Sequence, residues 1–162
     1  MSLTVYIGPL GSGKSTKLAY RASEHGDAGQ VVRFIRRRPG RELPECCEVV
    51  TVDDLFQVGH RRGSVLCVDD AHLFENLVGW LDEQLRRHAV IYVAAEFASY
   101  TQHPIVEVTK VVAIADRVVH CTASCAVCKE PAAHQIHLGH TSGRVSMAGK
   151  GLVQARCRKC LF

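Results

Sequence analysis

The sequence predicts an α/β fold, with a mostly parallel sheet flanked by helices and a small cysteine-rich module near the C-terminus. Three observations predict it. A glycine-rich loop, Gly8-Pro9-Leu10-Gly11-Ser12-Gly13-Lys14-Ser15-Thr16, stands between a short apolar run and a helical segment. Short β-branched runs then alternate with helical patterns through about residue 122. Finally, Cys125-Ala126-Val127-Cys128 and Cys157-Arg158-Lys159-Cys160 form two C-x-x-C pairs with 28 residues between them.

The loop carries the most chemistry. It follows Leu3-Thr4-Val5-Tyr6-Ile7 and matches G-x-x-x-x-G-K-[ST], the phosphate-binding loop that joins a strand to a helix. Glycines at 8, 11 and 13 let the backbone curl so that its N–H groups converge on an anion. Ser12 and Thr16 lie in the same cradle, and the helix that follows adds its positive end. Lys14 is placed to reach the β- and γ-phosphates of ATP, and the Ser15 hydroxyl to ligate Mg²⁺.

Further elements follow in order. Residues 17–25 continue the first helix, which Asp27-Ala28-Gly29 breaks, and residues 31–35 read as a strand. Five arginines lie in the nine residues 33–41, a loop by its Pro39-Gly40. That loop is either a solvated basic surface or a source of a guanidinium for phosphate. Residues 48–52 read as a strand, with Asp53 capping a helix to about Val58. Val65-Leu66-Cys67-Val68 reads as a buried parallel strand ending in Asp69-Asp70, at the sheet edge where α/β ligands bind. Asp69 is the partner of Mg²⁺ beside Ser15, and Asp70 points to the other side. Leu73, Phe74, Leu77, Val78, Trp80, Leu81 and Leu85 form a helical core stripe. Residues 89–95 are a buried strand. Pro104 opens a helix with Ile105, Val108, Val111, Val112 and Ala115 inward. Residues 117–121 give the last strand.

Composition bounds the rest. The chain has 162 residues, 47% hydrophobic and 22% charged, with a formal net charge of +4. That size supports one domain with a small appendage, and the mild charge suits phosphorylated ligands without being a nucleic-acid signature. The sequence leads us to expect no signal peptide, no membrane span, and a cytoplasmic chain whose eight cysteines stay reduced. Cys125, Cys128, Cys157 and Cys160 then read as four thiolates closing a structural Zn²⁺ site. Cys46, Cys47, Cys67 and Cys121 read as ordinary buried or strand cysteines. His134, His137 and His140 are left without a metal role because four thiolates already complete the site.

These pieces, in order along nearly the whole chain, resemble the zinc-containing (type II) thymidine kinases. Residues 8–16 are similar to that family's G-P-M-x-S-G-K-S-T, and Asp69-Asp70-Ala71-His72-Leu73-Phe74 resembles D-E-[AG]-Q-F-F. Residues 94–105 lie over A-G-L-D-G-T-F-Q-R-x-P-F, Ala115-Asp116-Arg117-Val118-Val119 over A-D-x-V-x, and both cysteine pairs match, including C-R-x-C. The resemblance implies a P-loop NTPase-like (RecA-like) domain over residues 1–122. A zinc-ribbon-like domain carrying a lasso loop would follow over 123–162. It implies ATP-dependent phosphorylation of a deoxynucleoside 5′-hydroxyl, with thymidine the foremost substrate, by a homo-oligomer (tetramer or dimer). Asp70 falls on the catalytic glutamate, Tyr100 on a phenylalanine that packs on the base, and Arg41 near an arginine of the segment before the first flexible loop. Val153 stands where the family has a tyrosine. Asp70 is one methylene shorter than glutamate, His72 replaces glutamine, Phe97 replaces aspartate, and the D-x-R-Y pattern gives way to Pro39-Gly40-Arg41-Glu42. The acceptor side has therefore drifted further than the phosphate side. Two other readings are an ATP-binding protein with a different acceptor, and a small nucleic-acid-associated ATPase. Against the latter, the chain lacks an aromatic-interleaved basic run.

Overall fold

The computed structural model describes residues 1–40, 42–43, 45–59, 63–87, 89–138 and 152–162. Arg41 and His140 lie outside the described residues, as does the stretch 139–151 of the excursion between the two cysteine pairs.

Six parallel strands form the main sheet: β1 (Ser2–Ile7), β2 (Val32–Arg36), β3 (Cys47–Thr51), β4 (Val65–Val68), β5 (Val90–Ala95) and β6 (Arg117–His120), in spatial order β3-β2-β4-β5-β1-β6. All run the same way, so their carboxyl ends share one edge. β5 lies between the strand that feeds the phosphate loop and the strand that ends at Asp69. β4 is buried at every position, as a four-residue apolar run in mid-sheet requires.

Helix α1 (Lys14–Asp27) covers one face, where Leu18 and Ala22 pack on Tyr6, Phe34, Cys67 and Ala94. Helices α2 (Leu77–Arg86) and α3 (Val106–Ile114) cover the other, where Trp80, Leu81, Val108 and Val111 meet Leu3, Val5, Ile91 and Val93. Alternate residues of β1 and β5 enter the cores on opposite faces, Val5 and Val93 towards α2 and α3, Tyr6 and Ala94 towards α1, which makes the three-layer α/β fold. Among the described residues, no helix is long and apolar enough to cross a membrane.

Local details differ from the sequence expectations. The cap before residue 58 is Asp54, whose carboxylate accepts from Phe56 N at 3.0 Å, and it starts only a 3-10 turn, Leu55–Gln57. The stripe from Leu73 is interrupted. A 3-10 turn, Ala71–Leu73, ends in extended Phe74, and α2 begins after Asn76, which sits at φ +53°. Phe74 still reaches the core, so burial alone did not reveal the break. Pro104 does not open α3: it bridges Ala98, and Ile105 caps the helix. Cys67 and Cys121 are buried, but Cys46 is exposed and precedes its strand.

Beyond β6 come two small antiparallel pairs, β7 (Ala123–Ser124) with β8 (Pro131–Ala132) and β9 (His134–His137) with β10 (Val153–Arg156).

Candidate active site

The site is built on the carboxyl edge of the sheet. Gly8 leaves β1 where no other residue fits, because a Cβ there would lie 2.1 Å from the Cys121 carbonyl oxygen and 2.9 Å from Ser12 Oγ. Gly13, at φ +79°, turns the loop into α1 through the left-handed region that favours glycine. Lys14 is only 7% exposed. Its ammonium donates to Pro9 O at 2.7 Å and to Ser12 Oγ at 3.3 Å, so it lies folded over the loop. Burial lowers its pKa, and the nearby carboxylates of Glu96, Asp70 and Asp69 oppose that shift.

Ser15 and Asp69 are brought together as the sequence suggested. Ser15 Oγ donates to Asp69 Oδ1 at 2.7 Å across 54 residues of chain. The same oxygen accepts from Asp70 N at 3.0 Å. Burial pushes the Asp69 carboxyl up, as does the neighbouring Asp70 charge, and the Ser15 hydrogen bond partly offsets this. A carboxylate held unwillingly charged beside a hydroxyl is a donor pair suited to a hard cation. Asp70 is exposed and holds φ +48°, a strained backbone for a non-glycine residue, at the start of the 3-10 turn. His72 is turned back into the fold, where its Nδ1 accepts from Glu96 N at 3.3 Å. Burial lowers its pKa.

Tyr100 and Val153 meet the same hairpin. The Tyr100 ring lies 5.4 Å from that of His137, and His137 pairs across β9–β10 with Val153, which is 8% exposed. Both positions therefore neighbour His137, whereas Arg41 lies outside the described residues. Two of the five arginines of the basic segment have other partners: Arg33 donates to Glu48 at 3.1 Å, and Arg37 donates to Leu73 O. The Arg38 charge is felt at His72.

The sequence reading missed two residues. Glu96 follows β5 at the same edge as Asp69 and is the foremost acidic neighbour of both Lys14 and His72. Its position just past a buried strand was a usable signal. Gln135, on β9, is 3% exposed and bonds both the phosphate loop and Glu96. Nothing in the sequence pattern marked it.

The four cysteines converge. Cys125, Cys128, Cys157 and Cys160 place their sulfurs within 4.8 Å of one another, with Cys128 Sγ and Cys157 Sγ 3.5 Å apart. A tetrahedron of thiolates around zinc has edges of about 3.8 Å, so the set fits that ion. Backbone N–H groups of Cys128 and Cys157 lower the Cys125 thiol to about 6, which prepares a thiolate.

With this geometry in view, the relatives are informative. The family model described as thymidine kinase matches residues 41–161, about three quarters of the chain. The chain belongs to the thymidine kinase family. That family consists of nucleoside kinases, which sets the enzyme class and implies ATP as donor and a nucleoside as acceptor. The chain is similar to the thymidine kinase of vaccinia virus (strain Western Reserve), 25% identical over 98% of this chain and 95% of the viral one. It is also similar to those of myxoma virus (23% identical, 96% and 93%) and Acanthamoeba polyphaga mimivirus (23% identical, 99% and 82%). At these identities the chain is a divergent member.

Proposed function

We propose that this chain transfers the γ-phosphoryl group of MgATP to the 5′-hydroxyl of a deoxynucleoside, thymidine foremost. The observation that carries the proposal is the Ser15–Asp69 hydrogen bond of 2.7 Å beside a buried Lys14, in a chain of the thymidine kinase family.

Ser15 and Asp69 are the residues that would hold Mg²⁺, which would supply positive charge against the phosphates. Ser15 would hold the ion, and Asp69 would orient Ser15 from behind or ligate in its place. The backbone of Gly8, Gly11, Ser12 and Gly13, with Thr16 opening α1, would cradle the phosphates. Lys14 would leave the Pro9 carbonyl and follow the γ-phosphoryl charge. Asp70, exposed at the mouth, would accept the proton of the 5′-hydroxyl. Tyr100 would stack on the base, Val153 would line the same pocket, and Arg41 would approach from the basic loop. Cys125, Cys128, Cys157 and Cys160 would hold zinc, a closed structural site with no position for substrate.

In the same reading residues 1–122 form the nucleotide-binding domain and 123–162 a zinc-ribbon-like domain carrying the lasso loop. The protein works in the cytoplasm as a tetramer or dimer, with no nucleic-acid or membrane partner. ADP release across a panel of nucleosides tests the proposal. Thymidine is expected to stimulate it, and Lys14→Ala to abolish the stimulation. If no nucleoside raises ADP release above the Lys14→Ala background, the kinase reading fails.

A further inference from the structure

We propose that Gln135 is a positioning residue for phosphoryl transfer, tying the phosphate loop to Glu96 and so setting the surroundings of Lys14. The proposal rests on the kinase reading only for the identity of the reaction; the linkage itself concerns nucleotide binding.

The Gln135 side chain is buried and bonded at both ends. Its Oε1 accepts from Leu10 N at 2.8 Å, inside the phosphate loop. Its Nε2 donates to Glu96 Oε2 at 2.7 Å and to Ala98 O at 3.2 Å. These partners fix the orientation of the amide: a main-chain donor requires the oxygen, and a carboxylate requires the nitrogen. Few side chains can do both. Glutamate has no donor when ionised, lysine has no acceptor, and asparagine is a methylene shorter.

The backbone of Gln135 is held as firmly as its side chain. Its carbonyl accepts from Gln102 Nε2 at 2.6 Å. In the β9–β10 register it pairs with Ala155, whose carbonyl accepts from Ala126 N at 3.0 Å within the first cysteine pair. The cysteine module therefore presents Gln135, and Gln135 grips the loop. Glu96 is the second object of that grip and the foremost acidic neighbour of Lys14. Fixing Leu10 on one side and Glu96 on the other fixes the distance between the loop backbone and the countercharge of its lysine. Lys14 must exchange the Pro9 carbonyl for a phosphate, so the placement of that countercharge bears on nucleotide affinity.

The test uses the full chain, with a non-hydrolysable MgATP analogue as probe. Affinity, amide exchange over residues 8–16 and the KM and kcat for ATP are measured together. Gln135→Met, similar in size but lacking both polar ends, is expected to bind the analogue about ten-fold more weakly, about 1.4 kcal/mol. Its Leu10 amide should exchange faster, and KM for ATP should rise more than kcat falls. Gln135→Glu faces Glu96 with a second carboxylate and should lose at least as much. The exchange variant Glu96→Gln with Gln135→Glu restores a donor–acceptor pair and keeps the Leu10 bond, losing only the longer bond to Ala98 O, and should recover most of the affinity that Gln135→Glu loses. Single variants that fail to fold beside a folded, nucleotide-binding exchange variant would support the linkage. The proposal is overturned if Gln135→Met matches wild type in affinity and loop exchange. It is also overturned if the exchange variant is no better than Gln135→Glu, or if none of the three folds. A wild-type chain that binds the analogue yet phosphorylates no nucleoside would sink the kinase reading and leave this test readable.

Discussion

Replacing Asp69 with asparagine should separate catalysis from stability. Asp69 Oδ1 accepts from Ser15 Oγ at 2.7 Å and from Asp70 N at 3.0 Å, and asparagine can keep both bonds through its own Oδ1. What it loses is the charge. That charge is costly in the folded protein, because burial and the Asp70 carboxylate raise the Asp69 pKa. The sign follows: a carboxyl whose folded pKa exceeds its unfolded value makes stability fall as pH rises through the interval between them. At a pH above both values that penalty is fully present, and there Asp69→Asn should unfold at the same temperature as wild type or higher. Turnover should move the other way. Removing a preorganised charge from a phosphoryl-transfer site costs on the order of 10²–10³ in kcat, about 3–4 kcal/mol. The assay is thermal unfolding without Mg²⁺ alongside ADP release at saturating MgATP and thymidine. A variant that keeps kcat within about three-fold of wild type, or one that unfolds several degrees lower, would refute this account of Asp69.

Three further outcomes are expected. Gly8→Ala forces a methyl to 2.1 Å from the Cys121 carbonyl oxygen. It should cost about 2–3 kcal/mol and lower the thermal midpoint by roughly 6–9 °C, and an unchanged midpoint would contradict the close approach. His72 is held below its ordinary pKa by burial, so the unfolded chain takes up its proton first as pH drops. Stability should decline on acidification from about pH 6.5, by at most about 1.4 kcal/mol per pH unit, and the decline should be shallower in His72→Gln. Purified protein should carry about one zinc per chain by elemental analysis, and Cys157→Ser should lose it and unfold at lower temperature; a metal-free, fully stable wild type would rule the site out.

How far the sequence carried depended on whether a feature was local. The phosphate loop was legible because its chemistry, its turn and its helix start occupy nine adjacent residues; the steric need for Gly8 was not, because the Cys121 carbonyl that excludes a Cβ there is distant in sequence. The two C-x-x-C pairs were legible for the same reason: each brings its own two sulfurs together. Asp69 was readable as a strand-end acid, and Ser15 met it because β1 and β4 run parallel with β5 between them. The misread boundaries were those where two local signals competed. Asp53 and Asp54 are both good caps, and the observed Phe56 N bond belongs to the second. The apolar stripe from Leu73 continues in register across the break at Phe74–Asn76, so periodicity could not show it. Pro104 was assigned to a helix start but serves a bridge to Ala98. Gln135 was out of reach, because its partners Leu10 and Glu96 are 125 and 39 residues away and only the folded sheet edge brings them together.

At the centre of the account, the γ-phosphoryl group held by Lys14 passes directly to a nucleoside 5′-hydroxyl whose proton Asp70 accepts. Incubating the full chain with γ-labelled MgATP and thymidine, then resolving the products, tests it most directly. The account predicts label in thymidine 5′-monophosphate for wild type, little in Lys14→Ala, and a large loss in Asp70→Asn. Label that appears only as inorganic phosphate, or an Asp70→Asn variant with full transfer, would contradict it.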